Sequence, residues 1–249
     1  SGIRRAWALS QACKDPINLS IGQPDFCVDE TIKQAAIDAI LQDNNGYTNT
    51  AGIDALLQTI YNRLHSQFGW EFTEESNLAA MVTSGTAGAL TLAFLTVLNP
   101  GDEIIVPDPY FVIYPSLARI AEAKAVLCDT YPDFRMTAER IEKYITEKTK
   151  AVLVNSPANP TGVVLTANEM ADIATLCKEH GILLITDEIY DELVFSPAKH
   201  VSPAETSEDV LVVRGYGKTY GCTGWRMGYA AGPKQIIDGM LKLKQQTFV

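Results

Sequence analysis

Two hydrophobic periods alternate along the chain. "ETIKQAAIDAIL" (30–41) and "GIDALLQTIYNRL" (52–64) place apolar residues at helical spacing. "LAAMVTSG" (78–85) predicts a short strand running into a glycine, followed by a helix over "AGALTLAFLTVL" (87–98). Five further short runs predict strands: "DEIIVPDP" (102–109), "KAVLCD" (124–129), "KAVLVNSP" (150–157), "ILLITDE" (182–188) and "DVLVVRG" (209–215). They are apolar on both faces, as strands covered by helices on two sides must be. Between the third and fourth of these lies a helical stretch, "TANEMADIATLCKEHG" (166–181), opened by a Thr166-x-x-Glu169 capping box and closed by Gly181. Strands alternating with helices predict an α/β fold, a mostly parallel, doubly wound sheet between two helical layers.

Composition narrows the classes. The 249 residues are 47% hydrophobic and 20% charged, the balance of a globular protein with a sizeable core. A net charge of −10 repels polyanions and disfavours nucleic acid or an anionic membrane as partner. No apolar run reaches membrane-span length, and "SGIRRAWALS" lacks a signal-peptide pattern. Five scattered cysteines without a CxxC pair suit reduced thiols in a cytoplasmic protein, and His65, His180 and His200 share no ligand spacing, so no metal site is expected.

In a sheet of this kind ligands sit at the carboxyl ends of the strands, so the residues following each strand carry the candidate chemistry. "TSGTAGA" (83–89) is a small-residue turn into a helix, able to present backbone N–H groups to an anion. Tyr110, Phe111 and Tyr114 in "PDPYFVIYP" (107–115) either belong to the core or stack on a flat ligand. "NSPANPTG" (155–162) is a rigid loop that aims the Asn159 amide from a strand end. In "ITDEIYDEL" (185–193), Asp187 ends a buried apolar run, where a carboxylate needs a cationic partner, and Tyr190 follows three residues later.

"GYGKTYGCTGWRMGY" (215–229) poses a choice. Gly217-Lys218-Thr219 after a strand suggests a nucleotide-binding loop, but such a loop needs glycine where Val212 stands. It also needs a helix directly afterwards, and Gly221, Gly224 and Gly228 are poor helix formers. A Schiff-base lysine fits better: Arg226 supplies a fixed cation suited to phosphate and tends to lower the Lys218 pKa. A flat aldehyde with a phosphate arm and a ring nitrogen, pyridoxal 5′-phosphate (PLP), uses all of these parts.

Taken in order, "SIGQPDF" (20–26), "YTNTAGIDALL" (47–57), "VTSGTAGAL" (82–90), "PYFVIYP" (109–115), "NSPANPTG", "TDEIYDEL" and "GKTYGCTGWRMGYAAGP" (217–233) resemble the class I aminotransferases of the fold-type I PLP enzymes. The resemblance implies a PLP-binding large domain over residues 46–249, with an N-terminal arm (1–45) that belongs partly to a small domain, most of whose C-terminal part lies outside these residues. With that part goes the arginine that clamps the substrate carboxylate. It implies amino transfer from an α-amino acid to a 2-oxo acid by a ping-pong route, with PLP-dependent β-elimination from sulfur amino acids or a catalytically incomplete or regulatory PLP-binding module as alternatives.

By resemblance, Lys218 attaches the cofactor and shuttles a proton, Asp187 pairs with the ring nitrogen, and Asn159 and Tyr190 bond the ring oxygen. Gly85, Thr86, Ala87 and Arg226 hold the phosphate, Phe111 stacks on the ring, and Gly22 lines the substrate carboxylate pocket with Asn159. Tyr47 reaches the phosphate of a neighbouring subunit, which implies a homodimer, and the Asn159–Pro160 bond is expected to be cis. Gly215 and Gly217 depart from the family, where serine is frequent at one or both positions, which predicts a phosphate cup that is weaker or is completed by water.

Overall fold

The computed structural model describes residues 2–17 and 22–247. Its elements, in chain order, are α1 (Gly2–Ser10), α2 (Glu30–Leu41), α3 (Asp54–Phe68), β1 (Leu78–Ser84), α4 (Gly85–Val97), β2 (Glu103–Asp108), α5 (Ile113–Ile120), β3 (Lys124–Asp129), α6 (Ala138–Glu142), β4 (Thr149–Asn155), α7 (Ala167–Glu179), β5 (Leu183–Asp187), β6 (Val210–Gly215), α8 (Tyr216–Thr219), β7 (Met227–Pro233) and α9 (Lys234–Thr247). Among the described residues, seven strands form one sheet in the order β1-β7-β6-β5-β4-β2-β3. All run parallel except β7, which is antiparallel to both β1 and β6.

Side-chain alternation along the buried strands divides the core in two. Ile105, Val152, Val154, Leu184, Val210 and Val212 face one side with Ile60 and Leu64 of α3 and Met170 and Ile173 of α7. Ile104, Val106, Leu153, Ile185, Leu211 and Val213 face the other with Leu90 and Phe94 of α4, Leu117 of α5 and Ile237 of α9. Period-2 alternation therefore buries both faces, which is why these strands read as continuous apolar runs. β3 differs: at one edge of the sheet, it buries only Cys128 and leaves Lys124, Leu127 and Asp129 exposed.

The capping box before α7 is formed as expected, with Thr166 and Glu169 bonded reciprocally, and Gly181 follows that helix at φ +64°. α2 buries none of its residues, so Ile37, Ile40 and Leu41 lie exposed. Strand β7 was not anticipated. "MGYAAGP" carries no alternating bulky residues because its small ones allow close approach: a Cβ on Gly232 would lie 2.4 Å from the Val210 carbonyl oxygen, and one on Gly228 2.7 Å from the Gly85 carbonyl carbon.

Candidate active site

Six parallel strands end at one edge of the sheet, and antiparallel β7 starts there. This topology gathers residues distant in sequence. β1 leads directly into α4, and Ser84 provides no side-chain cap, so the first-turn N–H groups of Gly85, Thr86 and Ala87 are left to a ligand or solvent. Gly85 has φ +66°, and a Cβ there would sit 2.8 Å from Nη2 of Arg226. Arg226 precedes β7 in a left-handed conformation and donates through Nη1 to the Thr223 carbonyl at 2.9 Å. A guanidinium thus lies against an uncapped helix N-terminus, two features that both favour an anion.

Asp187, the last residue of β5, is 3% exposed. Its Oδ2 accepts from the Tyr114 hydroxyl at 2.9 Å and its Oδ1 from the Ile189 N–H at 3.3 Å. The cationic partner expected from the sequence does not lie within ion-pair distance among the described residues. Burial pushes the carboxyl up to about 6, against the opposing pull of the two hydrogen bonds. Asn155, at the end of β4, bridges two of the anticipated residues: its Nδ2 donates to the Asp187 carbonyl at 2.8 Å, and its Oδ1 accepts from the Asn159 N–H at 2.6 Å. Asn159 Nδ2 donates to the Tyr190 hydroxyl at 3.3 Å, and the Asn159–Pro160 bond is cis.

Lys218 lies on the single turn of α8 after β6. Its Nζ is 5.7 Å from the centre of the Tyr190 ring and donates to the Gly22 carbonyl. Burial first, and the Arg226 charge second, lower its pKa from the ordinary lysine value. α8 stops at Thr219, so no phosphate-binding helix follows the lysine. Phe111 packs edge-on against Tyr114 with ring centres 5.8 Å apart. At Gly215 an added Cβ would lie 2.8 Å from Cδ1 of Ile189 and 3.1 Å from Cγ2 of Thr86; at Gly217 it would lie 3.2 Å from Cα of Thr223. The space that a serine would use is therefore occupied by neighbours.

Tyr47 is not drawn into this cluster; it stands 98% exposed. Ser20 and Ile21 of "SIGQPDF" lie outside the described residues. Three residues now in view had no assigned role in the sequence reading. They are Asn155; Tyr114, noted there only as one of three aromatics; and Arg214, whose guanidinium pairs with Glu188 beneath the site. Polar residues at the ends of otherwise apolar strands were the available signal for Asn155 and Arg214.

A family model described as aminotransferase class I and II matches residues 14–249. The chain belongs to that family. It is 38% identical over 249 residues to the aspartate aminotransferase of Geobacillus stearothermophilus, covering 98% of this chain and 63% of that protein. The aspartate/prephenate aminotransferase of Thermus thermophilus is 38% identical over 246 residues, again covering 98% of this chain and 63% of the relative. Among solved structures, the Thermus thermophilus aspartate aminotransferase with maleate superposes with a TM-score of 0.91 at 37% identity, over 99% of this chain and 64% of that one. The aromatic aminotransferase of Pyrococcus horikoshii OT3 gives 0.88 at 34% identity, over 98% and 66%. The chain thus spans a little under two thirds of the length of the curated relatives it matches. The cofactor of class I aminotransferases is pyridoxal 5′-phosphate.

Proposed function

We propose that this chain carries the cofactor-binding part of an aminotransferase that moves the amino group of an α-amino acid to a 2-oxo acid in two half-reactions. The observation that carries the reading is Asp187. Among the described residues it is a buried carboxylate without a cation in ion-pair distance, at the same sheet edge as a lysine of lowered pKa and a guanidinium over an uncapped helix N-terminus. A molecule bearing a ring nitrogen, an aldehyde and a phosphate matches the three in turn. When bound, PLP supplies the carbonyl that captures the amino group and the ring that withdraws electrons from the substrate Cα.

The chain's own groups would do the rest. Lys218 Nζ, with its lowered pKa, would hold the cofactor, then take the proton from the substrate Cα and deliver it to the cofactor carbon that had carried the aldehyde. Asp187 would hold a proton on the ring nitrogen and end its own isolation as a buried charge. Asn159 and Tyr190, already 3.3 Å apart, would bond the ring oxygen, and Phe111 would cover the ring face. Gly85, Thr86 and Ala87 would offer first-turn N–H groups to the phosphate beside Arg226. With Ile189 and Thr86 crowding Gly215, that cup would rest on the helix N-terminus and the guanidinium instead of on a hydroxyl at 215. Gly22 and Asn159 would line the substrate carboxylate side, and the solvent-facing Tyr47 would serve the site of a second copy in a homodimer.

We also read residues 1–45 as an arm and 46–249 as the large domain, supported by the lack of buried residues in α2. Five free cysteines suit a reducing cytoplasm, and no helix among the described residues is long and apolar enough to cross a membrane. The names of the relatives make aspartate the first donor to test.

The test is borohydride reduction of the PLP-loaded full-length protein followed by peptide mapping, together with absorbance changes on adding aspartate and then a 2-oxo acid. Cofactor fixed at Lys218, and an amino-acid-dependent spectral change reversed by the oxo acid, are expected. Label on another lysine, or full activity in Lys218→Ala, would overturn the assignment.

A further inference from the structure

Beneath the sheet edge lies a buried ionic cluster that the reading above does not use. Glu188 is completely buried and Arg214 is 3% exposed. Nε and Nη2 of Arg214 reach Glu188 Oε2 at 2.8 and 2.7 Å, and Nε lies 3.6 Å from Asp191 Oδ2. Its Nη1 donates to Gln67 Oε1 of α3 at 2.5 Å, and its guanidinium carbon sits 5.1 Å from the centre of the Phe68 ring. Glu188 also accepts from the Ser202 hydroxyl at 2.6 Å and the Thr186 hydroxyl at 3.1 Å, and meets Nε2 of His200 at 3.1 Å. Asp191 has a second cation, Arg63 of α3, at 2.9 Å.

A cluster this dry is a poor device for stability. Desolvation of the ions cancels most of their attraction, and apolar residues of equal volume often serve as well or better. What such a cluster does provide is registry. Glu188 and Asp191 bracket Tyr190 in one turn, closed by the Asp191 N–H to the Glu188 carbonyl at 3.0 Å. The Tyr190 side chain has weak anchorage of its own: the Asn159 amide is at the long distance of 3.3 Å, and Lys218 Nζ stands 5.7 Å from its ring centre. Its placement is therefore inherited from the turn.

We propose that Arg214 is a positioning residue: by gripping the two carboxylates on either side of Tyr190 and docking them on α3, it fixes where the Tyr190 hydroxyl stands. The same residue immediately precedes Gly215 and lies four before Lys218, so one side chain ties the turn bearing Tyr190 to the strand that delivers the lysine. The functional meaning of that placement rests on the cofactor-site reading given above.

The decisive variant is Arg214→Lys, which keeps the charge but not a planar fork able to serve two carboxylates. Asp191→Asn is a milder second variant that loosens one side of the grip. Two readouts separate positioning from stability. In the cofactor-free full-length protein, the carbon-13 tyrosine signal of Tyr190, identified by its loss in Tyr190→Phe, should move in both variants. In the PLP-loaded protein, the midpoint of the pH titration of cofactor absorbance should shift by roughly half a unit or more in Arg214→Lys. That shift should vanish in the Tyr190→Phe background. A lowered Tm with an unmoved Tyr190 signal and midpoint would overturn the proposal, as would a midpoint shift that persists without the hydroxyl. If the wild-type protein took up no PLP, the functional reading would fail on its own, and the tyrosine signal would still decide the role of Arg214.

Discussion

Asp187→Asn should make the cofactor-free protein more stable relative to wild type as the pH rises. The carboxyl is 3% exposed, and burial lifts its pKa from the ordinary 3.8 to about 6. Between those two values the folded state binds more protons than the unfolded state, so wild-type stability falls as pH rises through the window. The full loss by neutral pH is about 3 kcal/mol, of which about 2 kcal/mol falls between roughly pH 4.5 and pH 7. Asparagine keeps one carbonyl oxygen for the Ile189 N–H, and its amide nitrogen can donate to the Tyr114 oxygen where the second carboxylate oxygen had accepted, but it has no charge to bury. Its own fit adds a constant offset, so the pH dependence of the difference isolates the ionisation.

Urea unfolding of both cofactor-free full-length proteins at several pH values, with unchanged m-values, provides the measurement. A difference between the proteins that stays flat across this range would refute the reasoning, because it would mean that the folded carboxyl titrates at its ordinary value. With PLP added the ranking should reverse. Wild type gains binding free energy that the variant, lacking the negative partner for the ring nitrogen, largely forfeits.

Two further predictions concern other parts of the sheet edge and the helix behind it. Gly85→Ala places a Cβ at φ +66° and 2.8 Å from the Arg226 guanidinium; a left-handed alanine costs roughly 1–2 kcal/mol, measurable by urea unfolding, and the displaced guanidinium should weaken PLP binding in a spectroscopic titration. At the start of α7, the Arg135 hydrogen bond is the main cause that holds the Glu169 carboxyl at about 2, with Thr166 contributing. That stability is present above pH 4.5 and lost as pH falls through about 2. Glu169→Gln should flatten the acid limb of the unfolding curve by about 1–3 kcal/mol, and an unchanged limb would count against the pair.

The parallel strands were legible because burial on both faces demands unbroken apolar runs; β6, buried along its whole length, lies within the run "DVLVVRG" that predicted it. β7 was not, because its packing depends on missing side chains, and glycines at 228 and 232 look like loop residues until the backbones they touch are known. Chemistry followed a similar division. Asp187 ends a predicted strand, and Asn159 and Lys218 lie a few residues beyond two others, where the pattern directs attention; Arg226 was found by its nearness in sequence to the lysine, since the strand it precedes was not predicted. Tyr114 and Arg214 act through partners 73 and 26 residues away, and no periodicity in their own segments shows which face of the sheet those partners share. The crowding at Gly215 was equally hidden, since Ile189 and Thr86 meet it from two other strand ends.

Asp187 and Glu188 show why a carboxylate at a strand end cannot be interpreted from burial alone. They are neighbours, both buried, yet their carboxyls are displaced in opposite directions. Burial acts upward on each, but at Glu188 it is outweighed by Arg214 and His200, which hold the group at about 2, whereas Asp187 has two neutral donors and rises to about 6. Successive residues leaving a strand point to opposite faces, so one carboxylate enters the cluster on the α3 side and the other faces the Tyr114 side. The compensated charge can serve as structure because its partner is built into the chain. The uncompensated one costs the cofactor-free fold about 3 kcal/mol at neutral pH, a cost that a cationic ligand would remove on binding. The missing partner, more than the presence of an acid, is what distinguishes a binding group from a brace.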